Sequence, residues 1–161
     1  NLLVEAVLNL RAKYPRICLR VVGRGEKELL QKLEKQIVTA NAQNHFEFVG
    51  FVPHDQLPAH YAWCDIFAAP STVETLGNIY LEAMACGKPV IACKTGGTPE
   101  VVLHEQTGLT ILPTALEDAI VRLAEDPGQL GANGRQWVEQ QFSIARYIDK
   151  VETVYREALT R

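Results

Sequence analysis

Between Pro70 and Val102 the chain reads PSTVETLGNIYLEAMACGKPVIACKTGGTPEVV, and two of its carboxylates carry the chemical interest. Glu74 stands just before a Leu-Gly-Asn step, and Glu82 follows eight residues later, inside a stretch with helical apolar spacing. A strand-like run, DIFAAP, ends at Pro70, so a helix starting near Leu76 or Gly77 would begin beyond that strand's carboxyl end. In an open α/β sheet this is where ligands bind. The backbone N–H groups of Leu76, Gly77 and Asn78 would be unpaired there, with the helix dipole behind them, which suits a phosphate. Gly77 lets a ligand approach the main chain closely. Glu74 can accept hydrogen bonds from hydroxyls but repels a phosphate on the same spot, and Glu82 reaches a second polyhydroxylated group. Two carboxylates flanking an anion site fit a ligand built as sugar, phosphate, sugar: a nucleoside diphosphate sugar. A pair of glutamates at this spacing says little alone, because glutamate is usually a solvated charge on a helix face. The residues around the pair give it meaning.

A second junction, KTGGTPE, follows the strand-like PVIACKT. Gly96-Gly97 makes another loop of close approach, and Thr98-Pro99-Glu100 a helix start. Other groups read more plainly. Gly23-Arg24-Gly25 invites a dinucleotide reading, but the third glycine of that fingerprint would fall on Glu28, and Arg24 reads as a loop charge. His104-Glu105 reads as a turn before Gly108, Lys88 as an exposed turn residue, and Trp63 and Trp137 as core or helix-packing aromatics. Histidines at 45, 54, 60 and 104 have no metal-ligand spacing, and no Asp-x-Asp occurs, so neither a metal nor a cofactor is expected. Cys18, Cys64, Cys86 and Cys93 form no CxxC pair; three lie in apolar segments and read as small hydrophobes, which suggests a reducing, cytoplasmic setting.

The elements that must hold these residues alternate. Leu2, Leu3, Ala6, Val7 and Leu10 recur at helical spacing until Pro15. Strands are expected near residues 17–22, 46–49, 65–69, 89–93 and 109–112, with helices over Glu26–Asn41, around DQLPAHYAWC, over LGNIYLEAMACG and at Pro99–Val102. From Ala115 the tail is helical, broken near EDPGQLGANG and again at Phe142-Ser143. The stripe Tyr147, Val151, Val154 and Leu159 is a helix face expected to pack on the sheet or on a further domain. Strict strand–helix alternation defines an α/β fold, a doubly wound Rossmann-like parallel sheet with helices on both faces. Such a sheet starts with a central strand, yet the first element here is a helix. The first central strand is therefore expected to be missing, leaving 17–22 and 65–69 unpaired with each other. At 161 residues the chain is long enough for one core, and its net charge of −3 offers no basic footprint for nucleic acid. No apolar run reaches membrane-spanning length. Because it opens at Asn1 within a helical pattern, the chain reads as a fragment of a longer protein.

The run Pro70–Val102, preceded by RVVGRGEKELLQKL and FEFVGFVPHDQLPAHYAWCDIFAAPS, resembles the retaining glycosyltransferases of family 4, which have the GT-B fold. The resemblance spans nearly all of residues 1–161 and identifies them with the C-terminal nucleotide-sugar-binding domain of that fold; they are expected to be a fragment from which the N-terminal acceptor domain is missing. It implies that Glu74 is the catalytic-site carboxylate holding hydroxyls of the transferred sugar and that Glu82 holds the ribose hydroxyls. It also implies that Leu76, Gly77 and Asn78 lie over the diphosphate and sugar, and that Val52 lies against the nucleobase. Such enzymes are metal-independent and are thought to react by front-face attack, the leaving diphosphate helping to accept the acceptor's proton. Leu76 stands where an aromatic is frequent, and the family's Arg- and Lys-bearing glycine-rich loop would precede Asn1. Losing that charge stabilisation costs several kcal/mol in such a transition state, so this chain alone is expected to be inactive. The acceptor stays open between a sugar, a lipid and a polysaccharide. A place at the membrane periphery in the full-length protein is compatible with the cytoplasmic expectation. The alternative reading is an inactive nucleotide-sugar-binding module; a nucleotide-sugar epimerase of the same fold is disfavoured by the glutamate pair in its context.

Overall fold

A computed structural model describes residues 1–160. Its helices and strands alternate as far as β5, after which three helices follow one another: α1 (Leu2–Leu10), β1 (Leu19–Val22), α2 (Lys27–Thr39), β2 (Phe46–Gly50), α3 (Leu57–Trp63), β3 (Phe67–Ala69), α4 (Asn78–Ala85), β4 (Val90–Cys93), α5 (Thr98–Val101), β5 (Leu109–Ile111), α6 (Leu116–Glu125), α7 (Leu130–Gln141) and α8 (Ile144–Leu159). All strand pairings are parallel. They form two sheets rather than one, β1–β2 and β3–β4–β5. β1 and β3 do not pair, as expected, and a groove of about 1060 Å³ separates them, lined by Ile17, Cys18 and Leu19 on one side and Asp65, Ile66 and Ala68 on the other.

The larger sheet shows why its strands are apolar throughout. In β4 all four residues are buried, because neighbours cover both faces. Val90 and Ala92 point to a cluster with Tyr61, Tyr80, Ala83, Met84, Val101 and Val102. Ile91 points the other way, to Leu109, Leu116, Ala119, Leu123 and Leu130, as the two-residue period of a strand requires. A third cluster joins Leu33, Ile37 and Ala42 to Leu19, Phe46 and Phe48 of the small sheet. α1 serves two of these cores: Ala6 enters the second, and Val4 and Leu8 enter the third.

Several details depart from expectation. The expected break at EDPGQLGANG is confined to Asp126–Gln129, because Gly131 and Gly134 lie within α7. A side chain at Gly131 would collide with the Gly87 carbonyl, and one at Gly134 would press on Met84, so these glycines let α7 settle on α4. Trp63 is not a core residue; it is nearly half exposed, with the Arg20 guanidinium 3.7 Å from its ring centroid. Trp137 does pack inside, its Nε1–H donating to Val101 O at 3.1 Å. Lys88 is not a free surface charge, since its Nζ donates to Ala62 O at 2.9 Å. The apolar stripe of α8 finds no partner on the sheet: Tyr147, Val154 and Leu159 are exposed, and none of the helix is buried.

Candidate functional site

The two loops that follow β3 and β4 are stitched together. Thr95 Oγ1 donates to Thr72 O at 3.0 Å, and Gly97 N–H donates to Thr75 O at 3.1 Å. A Cβ on Gly96 would run into the Glu74 carbonyl, and one on Gly97 into that of Thr75. The close approach anticipated at Gly96-Gly97 is thus already made by the 74–75 backbone, and it fixes where Glu74 stands. The Glu74 carboxylate is half-buried and accepts from its neighbour Thr75 N–H at 3.1 Å.

Gly77 is the N-cap of α4, one residue before the helix proper, which starts at Asn78 rather than at Leu76 or Gly77. Its φ of 87° lies in the left-handed region, and a side chain there would strike the Tyr80 ring. Only glycine takes this geometry without strain. Tyr80 is fully buried beneath the turn, and its hydroxyl donates to Ala69 O at 2.6 Å, tying the start of α4 to the end of β3. Burial, and after it the Glu74 charge, push this phenol up to about 12. Among the described residues the amides of Leu76, Gly77 and Asn78 make no hydrogen bond, whereas the Tyr80 amide already turns back to Gly77 O. Leu76 and Asn78 are exposed. The three amides are thus left without a protein partner, those of Leu76 and Asn78 on exposed residues and that of Gly77 on a buried one, with Glu74 before them and Glu82 after them.

Glu82 is held from outside its own helix. Tyr61 of α3 donates its hydroxyl to Glu82 Oε2 at 2.7 Å, and His54 Nε2 stands 3.5 Å from Oε1. The Glu82 side chain keeps 31% of its surface exposed, enough to meet a ligand. His54 lies just past β2, so this contact brings the loop carrying Val52 to the same end of the molecule as Glu82. Val52 is half-buried, and the neighbouring Phe51 ring is exposed with the Arg24 guanidinium 4.5 Å from its centroid. Gly23 N–H donates to Gly50 O at 2.8 Å, joining the loops that leave β1 and β2. Arg24 is thus an exposed charge in the loop after β1, as expected, and it stacks on Phe51.

Tyr61 and His54 escaped the sequence reading. Tyr61 lies 21 residues before Glu82 in the chain, and only the packing of α3 beside α4 brings them together. Among the described residues no group of three His, Cys, Asp or Glu side chains is placed to hold a metal, all four cysteines are free, and no helix is long and apolar enough to cross a membrane. The groove between the sheets contains neither glutamate.

A Rossmann-like α/β fold with ligand-facing loops at the carboxyl ends of parallel strands is the architecture of GT-B proteins, and solved examples superpose closely. The structure of Anabaena Alr3699/HepE in complex with UDP matches 97% of this chain and 44% of its own, with a TM-score of 0.87 and 28% identity. Sucrose-phosphate synthase from Thermosynechococcus elongatus matches 98% of this chain and 42% of its own, with a TM-score of 0.81 and 30% identity. In sequence, the chain is 37% identical over 150 residues to the GDP-mannose-dependent alpha-(1-6)-phosphatidylinositol monomannoside mannosyltransferase of Mycolicibacterium smegmatis, a match covering 85% of this chain and 39% of that protein. The family of glycosyl transferases group 1 matches residues 1–140. This chain belongs to that family. It spans about two fifths of the length of the curated relatives it matches.

Proposed function

We propose that residues 1–161 are the C-terminal nucleotide-sugar-binding domain of a retaining, family-4-type glycosyltransferase. The complete enzyme moves a sugar from a nucleotide to an acceptor (a sugar, a lipid or a polysaccharide) bound largely by an N-terminal domain. One observation carries this reading: Glu74 and Glu82 flank the Gly77 turn, whose neighbouring amides are free to receive a diphosphate. Glu74 receives hydroxyls of the transferred sugar at the reacting end, and Glu82 receives the ribose. Leu76, Gly77 and Asn78 meet the diphosphate and sugar through N–H groups. The Gly96-Gly97 loop backs Glu74, and Val52 lies against the base. UDP and UDP-glucose in the Anabaena neighbour and GDP-mannose in the mycobacterial relative's name support a nucleotide-sugar ligand class. Retention follows from front-face attack, with the leaving diphosphate taking the acceptor's proton, a route that needs no protein nucleophile. Catalysis needs no metal or other cofactor, and the protein works in the cytoplasm or at its membrane surface. Residues 1–161 alone transfer little or no sugar.

Calorimetry on the complete natural protein tests the assignment. Glu82→Ala should weaken a nucleoside diphosphate and its sugar conjugate alike, by about 1.5–3 kcal/mol per lost charge-assisted bond. Glu74→Ala should spare the nucleoside diphosphate and weaken only the added contribution of the sugar. Equal losses for both ligands in both variants would remove the basis for the two roles.

A further inference from the structure

We propose that Tyr61 is a positioning residue of the nucleotide site: its hydroxyl holds the Glu82 carboxylate in the orientation that receives the two ribose hydroxyls. The proposal rests on the reading of Glu82 given above and adds a residue from a different helix to it.

Three observations converge on Tyr61. Its hydroxyl donates to Glu82 Oε2 at 2.7 Å, a short hydrogen bond to a charged acceptor. Its ring is buried and packs edge-on against Phe67 of β3, centroids 5.4 Å apart at 63°, and Phe67 in turn packs edge-on against Tyr80 at 6.2 Å. The hydroxyl is therefore carried on a side chain whose rotamer the core dictates, while Glu82 is a partly exposed helix residue with freedom to swing. Finally, burial first, and then the Glu82 hydrogen bond, push the phenol upward, so the proton being donated stays in place across the working pH range.

The lone-pair count makes the arrangement specific. A carboxylate offers about four acceptor sites, two on each oxygen. Tyr61 takes one on Oε2. His54 Nε2, exposed and 3.5 Å from Oε1, is within ion-pair reach but beyond a good hydrogen bond, so both sites on Oε1 and one on Oε2 remain. A vicinal diol donates one hydrogen bond to each oxygen of a carboxylate held square to it. Without the Tyr61 hydroxyl the carboxylate keeps its charge but loses its bearing.

The test uses UDP, GDP and ADP and their 2′,3′-dideoxy counterparts, titrated calorimetrically into the complete natural protein and its Tyr61→Phe, Glu82→Ala, doubly substituted and Tyr80→Phe variants. Tyr61→Phe keeps the ring against Phe67, and Tyr80→Phe removes a buried hydroxyl that does not touch Glu82. Whichever ribonucleotide binds should weaken about five- to tenfold in Tyr61→Phe, part of the worth of a charge-assisted bond, while its dideoxy counterpart changes little. The Tyr61 change should add nothing once Glu82 is alanine, and Tyr80→Phe should leave the ribo-to-dideoxy ratio untouched. If Glu82→Ala abolishes that ratio but Tyr61→Phe leaves it intact, the positioning role of Tyr61 is overturned and the reading of Glu82 stands. If Glu82→Ala does not change the ratio, or no ribonucleotide binds, the reading of Glu82 falls and the proposal with it.

Discussion

The amide of Gly97 donates to the carbonyl of Thr75 at 3.1 Å, and there is no room for a side chain between them. Through this contact the loop after β4 sets the height of the loop carrying Glu74. Gly97→Ala should force the two loops apart, at a cost of about 1–3 kcal/mol as in other overpacked sites. Sugar-dependent binding should fall with it, because Glu74 moves. Urea melts paired with nucleotide-sugar titrations check this; an unchanged midpoint and unchanged binding would mean that the loops move independently.

Gly96→Ala should be at least as damaging. Its φ of 50° is left-handed, and the added carbon would meet the Glu74 carbonyl. Backbone strain at such a position adds roughly 1–2 kcal/mol to the steric term. A thermal melt ranks the two variants directly.

Alkaline pH should destabilise the fold through two phenols. Burial and, next, the Glu74 charge raise Tyr80 to about 12, and burial and, next, the hydrogen bond to Glu82 raise Tyr61. Above about pH 10 an unfolded tyrosine loses its proton while these two keep theirs, so the unfolded state binds fewer protons and stability drops as pH rises. The contribution is fully present below pH 10 and declines from there towards pH 12 and beyond. Ultraviolet titration should show a late tyrosinate step that coincides with unfolding, and Tyr80→Phe should reduce its amplitude.

α8 should open locally well below the global unfolding free energy. No residue of the helix is buried, and its ordered start rests on the Ser143 hydroxyl accepting from Arg146 N–H at 3.4 Å. Ser143→Ala should cost the helix about 1 kcal/mol and speed amide exchange in residues 144–150 without moving the main melting transition. A matching drop in global stability would show that α8 is cooperative with the core.

Transfer by the complete enzyme should persist in a strong chelator. The proposed diphosphate contacts are main-chain amides, which meet the anion without a bridging ion. Turnover that vanishes with chelator and returns with Mn²⁺ or Mg²⁺ would contradict the metal-free reading.

The order of elements was legible because each strand is a short, mostly apolar run, four of the five closed by a nearby Gly or Pro, and each expected strand lies within a residue or two of the observed one. Glu74, Gly77 and Glu82 were legible because they sit within one strand–loop–helix unit, where local chemistry and spacing coincide. Tyr61, His54 and the loop stitching at Thr75 were not, since they arise from contacts between units and no local pattern announces them. The glycines of α7 misled for the same reason. In sequence they look like a helix break; in space they are the small residues that a crossing with α4 demands.

The shared helix α1 has a consequence for the order of assembly. Val4 and Leu8 find their partners at Leu33, Ile37 and Ala42, but those of Ala6 lie at Ile91, Leu109, Leu116 and Leu123. As a ribosome delivers these residues, α1 emerges ahead of both sheets and can settle early against the smaller one, yet one face must wait for more than eighty further residues. Contacts of such long sequence separation form slowly, because the loop they close is large. The seam between the two cores should therefore be the last part of the molecule to consolidate during folding.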